Sequence, residues 1–166
     1  MPPTRTSAAD CQERLVDEGE RRALAQLEIE ERQGRKMTWP PTLAAYGPLF
    51  REFKHDDVFK WRLLAHEFGL RWQSTPLEHR RALVETEPAP ISPGWDALVA
   101  AWVDHHCYHD GTQPPDWVFK PSRIYQGFWT YIPSQFEGLI IAAMVHSPAA
   151  FLARGVWVEE RDLKVV

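Results

Sequence analysis

Residues Trp95 to Gly111 read WDALVAAWVDHHCYHDG, and whether this run is a packed helix or a ligand-bearing loop decides the fold. Trp95, Leu98, Val99, Trp102 and Val103 recur at three- and four-residue intervals, the spacing that stacks side chains on one helical face. Ser92 or a neighbour is placed to cap the start. Gly111, followed by Pro114 and Pro115, closes the end, because glycine accepts the left-handed turn that terminates helices. The run therefore predicts a helix with an apolar face and a tail rich in histidine.

That tail is the densest ligand-capable stretch of the chain. At roughly 100° per residue, His106 falls inside the apolar stripe, His109 at its edge, His105 further round and Cys107 well away. His105 and His109 stand one turn apart, a pair able to share a metal ion, and zinc is the natural choice for such ligands. Zinc would need a third and usually a fourth ligand, and Cys11, His79 and His146 are scattered without a recognised spacing. The competing reading is structural and leads. Histidines in a last turn hydrogen-bond free carbonyls and, when protonated, favour the negative end of the helix dipole.

On the N-terminal side, EPAPISPG (Glu87 to Gly94) is the clearest linker, since its three prolines favour extended backbone. Before it, the pattern predicts helices over Thr42 to Phe53, Asp56 to Trp72 and Pro76 to Glu85. Asp56 or Asp57 caps the second, and Thr75 with Glu78 offers a capping box for the third. Val58, Trp61, Leu64, Ala65, Phe68 and Trp72 form a core stripe on the second. After Gly111, aromatic and β-branched residues broken by Pro121, Gly127 and Pro133 read as extended pieces or loop. Helices are predicted from Ser134 to Val145 and from Pro148 to Ala153. The fold class expected is mainly α: a compact helical domain with a long N-terminal helix and short extended segments near residues 116–132 and 155–159. Residues 1–38 form a charged helical arm. Residues 39–166 form one helical domain, with sub-segments 42–86 and 94–166 joined by the proline-rich linker.

The arm is read from Ser7 to Lys36, which contains no proline and is dominated by strong helix formers. Its narrow apolar stripe offers Leu15, Leu24 and Leu27 as partner-binding residues, since an isolated helix rarely holds without packing. The chain has 166 residues, 44% hydrophobic and 12% aromatic, enough for a real core. A formal net charge of −4 removes any general basic field that would draw it to nucleic acid. Two cysteines without a CxxC spacing, and an N-terminus without the apolar core of a signal peptide, favour a reduced, cytoplasmic protein. The most apolar run, GLIIAAMV (Gly138 to Val145), is far below the roughly 20 residues that span a bilayer, so no membrane partner is expected and the run reads as buried core.

Catalytic signatures are missing. No glycine-rich phosphate loop, GxSxG elbow or paired CxxC site occurs. His66–Glu67 opens like a metalloprotease helix, but Leu70 stands where the second histidine belongs. Arg62 and His66, one turn apart, read as surface residues rather than a phosphodiester-cleaving pair. Ala65 and Gly69 have a helix-turn-helix offset, yet Thr75 and Glu78 fall where that motif is apolar and Pro76 would break its second helix.

The order WDALVAAWVDHH, then PPDWVFKPSRIYQGFW, then HSPAAFLARGVWVEERDL resembles a C-terminal helical module of mostly uncharacterised actinobacterial proteins. The likeness covers about residues 58–166 and runs through Trp95, Asp96, Pro115, Trp117, Trp129, Pro148, Phe151, Gly155 and Leu163. In those proteins the module often comes after a helix-turn-helix domain, in an antitoxin-like or regulatory setting. The resemblance implies an antitoxin-like or regulatory protein, and the function expected is that of a non-catalytic protein-binding or regulatory subunit whose partner is another protein, a toxin among the candidates; a homo-oligomer is a separate expectation. In place of a DNA-binding domain this chain carries the charged segment Ser7 to Lys36. Two alternatives stay open: a metal-dependent hydrolase or nuclease-like toxin using His105 and His109, and a nucleic-acid-binding regulator.

Overall fold

In the computed structural model, the chain divides into two units, Met1–Trp39 and Pro40–Val166. The structure describes residues 40 to 164, so the segment expected to form an N-terminal helix, with Leu15, Leu24 and Leu27, lies outside the described residues. The described part is helical: α1 (Gly47–Glu52), α2 (Asp57–Arg62), α3 (Gly69–Ser74), α4 (Leu77–Arg80), α5 (Pro93–His109), α6 (Glu137–His146) and α7 (Ala149–Leu152). Among the described residues there is no strand, only a single parallel bridge between Trp129 and Val156. The expectation of extended segments is corrected over 116–123 alone, since residues 124–132 and 155–159 lie outside the helices and the Trp129–Val156 bridge joins them. Asp116–Phe119 and Pro121–Arg123 are 3₁₀ turns, started by Pro115 and by Pro121 itself, and Glu160–Leu163 is a third.

The WDALVAAWVDHHC run is α5, and it is buried more completely than one apolar face requires. Every residue from Gly94 to Val103 is buried, which is the state of a helix surrounded by other elements rather than laid on them. Aromatic rings from earlier elements line its flank: Phe68 lies 5.3 Å and Trp72 5.8 Å from the Trp102 ring, and Phe50 lies 6.3 Å from Trp95. Burying each such side chain stabilises by about 1.5–3 kcal/mol, so this flank is the main source of cohesion. Gly94 is small for a reason of space: a Cβ there would enter the ring of Trp129. The C-terminus closes as the sequence suggests. Gly111 has φ 65°, and the Thr112 and Gly111 amides donate to the carbonyls of Cys107 and Tyr108, the paired bonds of a Schellman motif.

Between α2 and α3 the backbone continues without a break, but Leu63–Phe68 is a π-helical segment. A π turn holds more residues than an α turn and so rotates the α2 side of the helix relative to the α3 side. One correction concerns the first turn of α2, before this segment. Trp61, Leu64, Ala65, Phe68 and Trp72 are buried as the stripe predicts, whereas Val58 is 57% exposed. Asp56 caps α2, accepting from the Phe59 amide at 2.8 Å. The box expected at Thr75 and Glu78 does not form: the Thr75 hydroxyl donates backward to the Arg71 carbonyl at 2.7 Å, and α4 starts from Pro76 with no side-chain cap. Ser92 is the N-cap residue of α5, but its hydroxyl makes no cap bond. The Asp96 carboxylate instead accepts the Ile91 amide at 2.9 Å.

Three arginines fasten the periphery to α5. Buried Arg123 reaches Asp96 (3.2 Å), Glu87 (3.1 Å) and the Pro88 carbonyl (2.6 Å), and its guanidinium lies over Trp117. Arg154 binds Asp104 and the Ala150 carbonyl. Arg80 donates to both oxygens of Asp110 at 2.8 Å, where Trp72 also donates at 3.0 Å. Planar, multi-donor arginine suits this task, since one side chain satisfies a carboxylate and a carbonyl together.

Candidate functional site

Two places depart from what a packed helical domain needs: the histidine turn at the end of α5, and α6. At the first, the helix periodicity sorts the ligand-capable residues. His106 packs inward, its ring 4.0 Å from Trp102 and 6.2 Å from Trp72. Burial lowers its pKa to about 3, so it is a neutral core residue at ordinary pH. Cys107 is fully buried, and burial pushes its thiol up, away from the thiolate that binds metals. His105 and His109 do meet, with ring centroids 4.4 Å apart. Burial first, then the neighbouring His109, lowers the His105 pKa and favours the neutral imidazole that a metal would require.

Among the described residues no third ligand joins them. Among the described residues no group of three or more histidines, cysteines, aspartates or glutamates is placed to hold a metal ion. His66, His79 and His146 are exposed at other places on the chain, and Cys11 lies outside the described residues. The helix-turn-helix frame also lacks its turn: Gly69 has φ −58° and ψ −43°, and the helix runs on through it to Ser74.

The second place reads in the sequence as buried core, and the structure corrects it. Helix α6 carries no charged side chain from Gly138 to Val145, yet Ala143 is its only buried residue. Ile141 is 53%, Met144 45% and Val145 69% exposed. The helix is tied down at its ends rather than along its length. Before it, Tyr131 stacks on Trp61 at 4.5 Å and donates to Asp162 at 3.1 Å. After it, buried Ser147 accepts the Val158 amide at 3.0 Å, and Phe151 is fully buried. Ala143 and Ser147 fix the inward side; Gly138, Ile141, Ala142 and Val145, spaced by three and four, share the opposite one. Hydropathy alone cannot distinguish a core helix from an exposed apolar one, which is why the sequence places this run in the interior.

Compared with known proteins, the chain matches no family model, no curated sequence and no solved structure. No helix among the described residues is long and apolar enough to cross a membrane. The functional reading therefore rests on this geometry.

Proposed function

We propose that this chain is a non-catalytic protein-binding subunit that docks through the outer side of α6. One observation carries the reading: a helix uncharged from Gly138 to Val145 whose Ile141, Met144 and Val145 are exposed while its ends are anchored in the core. Contiguous exposed apolar surface on a folded domain is a feature of protein–protein, membrane and ligand contact sites. An antitoxin-like or other regulatory role is the form of this function that the sequence resemblance favours. Its test is association of the full chain, alone and mixed with the products of adjacent reading frames, followed by sedimentation. A complex that forms with wild type and is lost with Ile141→Lys/Val145→Lys supports the reading; association that ignores both substitutions sinks it.

A second reading, a zinc-dependent hydrolase, is favoured by the close approach of His105 and His109. Stoichiometric zinc in the purified protein, lost in the His105→Ala/His109→Ala variant, would replace the first reading with this one.

A further inference from the structure

We infer that His105 and His109 form a two-ligand site for a late divalent transition metal, copper(II) before the others, with water completing its coordination. Helix α5 runs through His109, and the bonds from Gly111 and Thr112 that close it hold its last turn. The two imidazoles therefore leave one side of the helix a single turn apart. Their ring centroids are 4.4 Å apart and the ring planes are inclined at 63°. Both values bear on a shared ion. An imidazole nitrogen binds a metal in the plane of its ring, so parallel stacked rings have no common point to offer. Inclined planes meet along a line, and an ion on that line is reachable from both.

The separation selects the geometry. With metal–nitrogen bonds of about 2.0–2.1 Å and ring centres about 1.1 Å behind the nitrogens, ligands at a right angle place the centroids about 4.5 Å apart, and tetrahedral ligands about 5.1 Å. The 4.4 Å between these rings matches the right angle, which tetragonal copper(II) and nickel(II) prefer and tetrahedral zinc does not. Of the two, copper(II) binds nitrogen ligands more tightly.

The surroundings suit a cation. His105 is half-buried, its ring 5.9 Å from that of Phe151, which limits its swing. Burial and the neighbouring His109 favour its neutral form, the one that binds metals, while Glu160 and Asp104 set negative charge nearby. His109 is exposed, so the outer side of the ion is open to water. His106 takes no part, its ring packed on Trp102 at 4.0 Å. The zinc hydrolase reading shares these residues, but copper binding here requires no hydrolysis.

The test is electron paramagnetic resonance of the full chain with one equivalent of copper(II), alongside calorimetric titration, in a Cys11→Ser background that removes a competing thiol. One copper per chain should give an axial spectrum with splitting from two nitrogens. His105→Gln and His109→Ala should each weaken copper at least about tenfold, a loss that removing even an outer partner of a ligand can bring, and leave one nitrogen in the signal. His79→Ala and His146→Ala, exposed elsewhere, should change neither. Circular dichroism checks the fold, and His109→Ala, at an exposed position, decides the matter if His105→Gln does not fold. Cobalt(II) then reads the angle: weak visible absorption marks a six-coordinate ion with right angles, and the intense bands of a tetrahedral ion would overturn the geometry. Substoichiometric copper, one nitrogen in the wild-type signal, or affinity indifferent to His109→Ala overturns the site. Bound copper without any zinc-dependent hydrolysis leaves the site standing and removes the hydrolase reading alone.

Discussion

Individual residues here have roles that their types alone do not announce. His106 is a core aromatic that happens to titrate. Its pKa, lowered by burial to about 3, lies below the roughly 6.5 of an unfolded histidine. Between those values the unfolded chain takes up a proton that the folded chain refuses. Stability is therefore fully present above about pH 6.5 and falls as pH drops toward 3. His105, lowered in the same direction, adds to this loss, while Asp96, raised by burial, opposes it. Urea titrations at pH 7 and pH 4.5 should show His106→Phe losing less stability than wild type over that interval; equal losses would mean His106 is not the sensor. At Gly155 the constraint is backbone. Its φ is 68°, and a Cβ would strike the carbonyl oxygens of Gly127 and Tyr125. Gly155→Ala should cost about 2 kcal/mol or more, combining left-handed strain with the clash. A melting temperature unchanged in that variant would refute the account.

Among the elements, positions are legible in the sequence where orientations are not. The residues bounding α5, its apolar spacing and its terminating Gly111 are readable, because capping and periodicity are local properties. The π segment is not, since nothing in Leu63–Phe68 marks a change of turn until its packing against Tyr46 and Trp102 is known. The exposure of α6 is equally hidden: a buried apolar helix and an exposed one share composition, and only the surrounding chain distinguishes them. Of the histidine turn, the separation of His106 from His105 and His109 comes from helical angles alone. The proline-rich linker is held rather than loose. Trp117 donates to the Val84 carbonyl at 2.9 Å, and Arg123 grips Glu87 and Pro88. Lys120 holds the Glu87 carboxyl below its ordinary pKa. Arg123→Met would leave Asp96 buried without its counter-ion, at a cost of about 3–5 kcal/mol, and should open residues 86–92 to limited proteolysis. A linker still resistant to protease would show that Trp117 alone suffices.

For the domain as a whole, α5 is the element to which the others are fastened, at separate points along its length. Asp96 and Asp104, the anchors of Arg123 and Arg154, are eight residues apart, about 12 Å along the axis. Independent sites at that distance usually add within about 0.5 kcal/mol. Arg123→Met and Arg154→Met are accordingly expected to be additive in chemical denaturation. A coupling above about 1 kcal/mol would show instead that α5 shifts as a rigid rod when either end is released.

The anchoring of α6 at its two ends has a consequence for how such a protein can change over generations. Tyr131 and Ser147 hold the helix in place and Ala143 is its buried residue, so Gly138, Ile141 and Val145, on the opposite side, are nearly free of duty toward the fold. Substitutions there can change the character of that exposed surface while leaving the domain's own folding almost untouched. In a lineage of such chains, this helix is where the fold would tolerate divergence first, and the ring-lined flank of α5 is where it would stop.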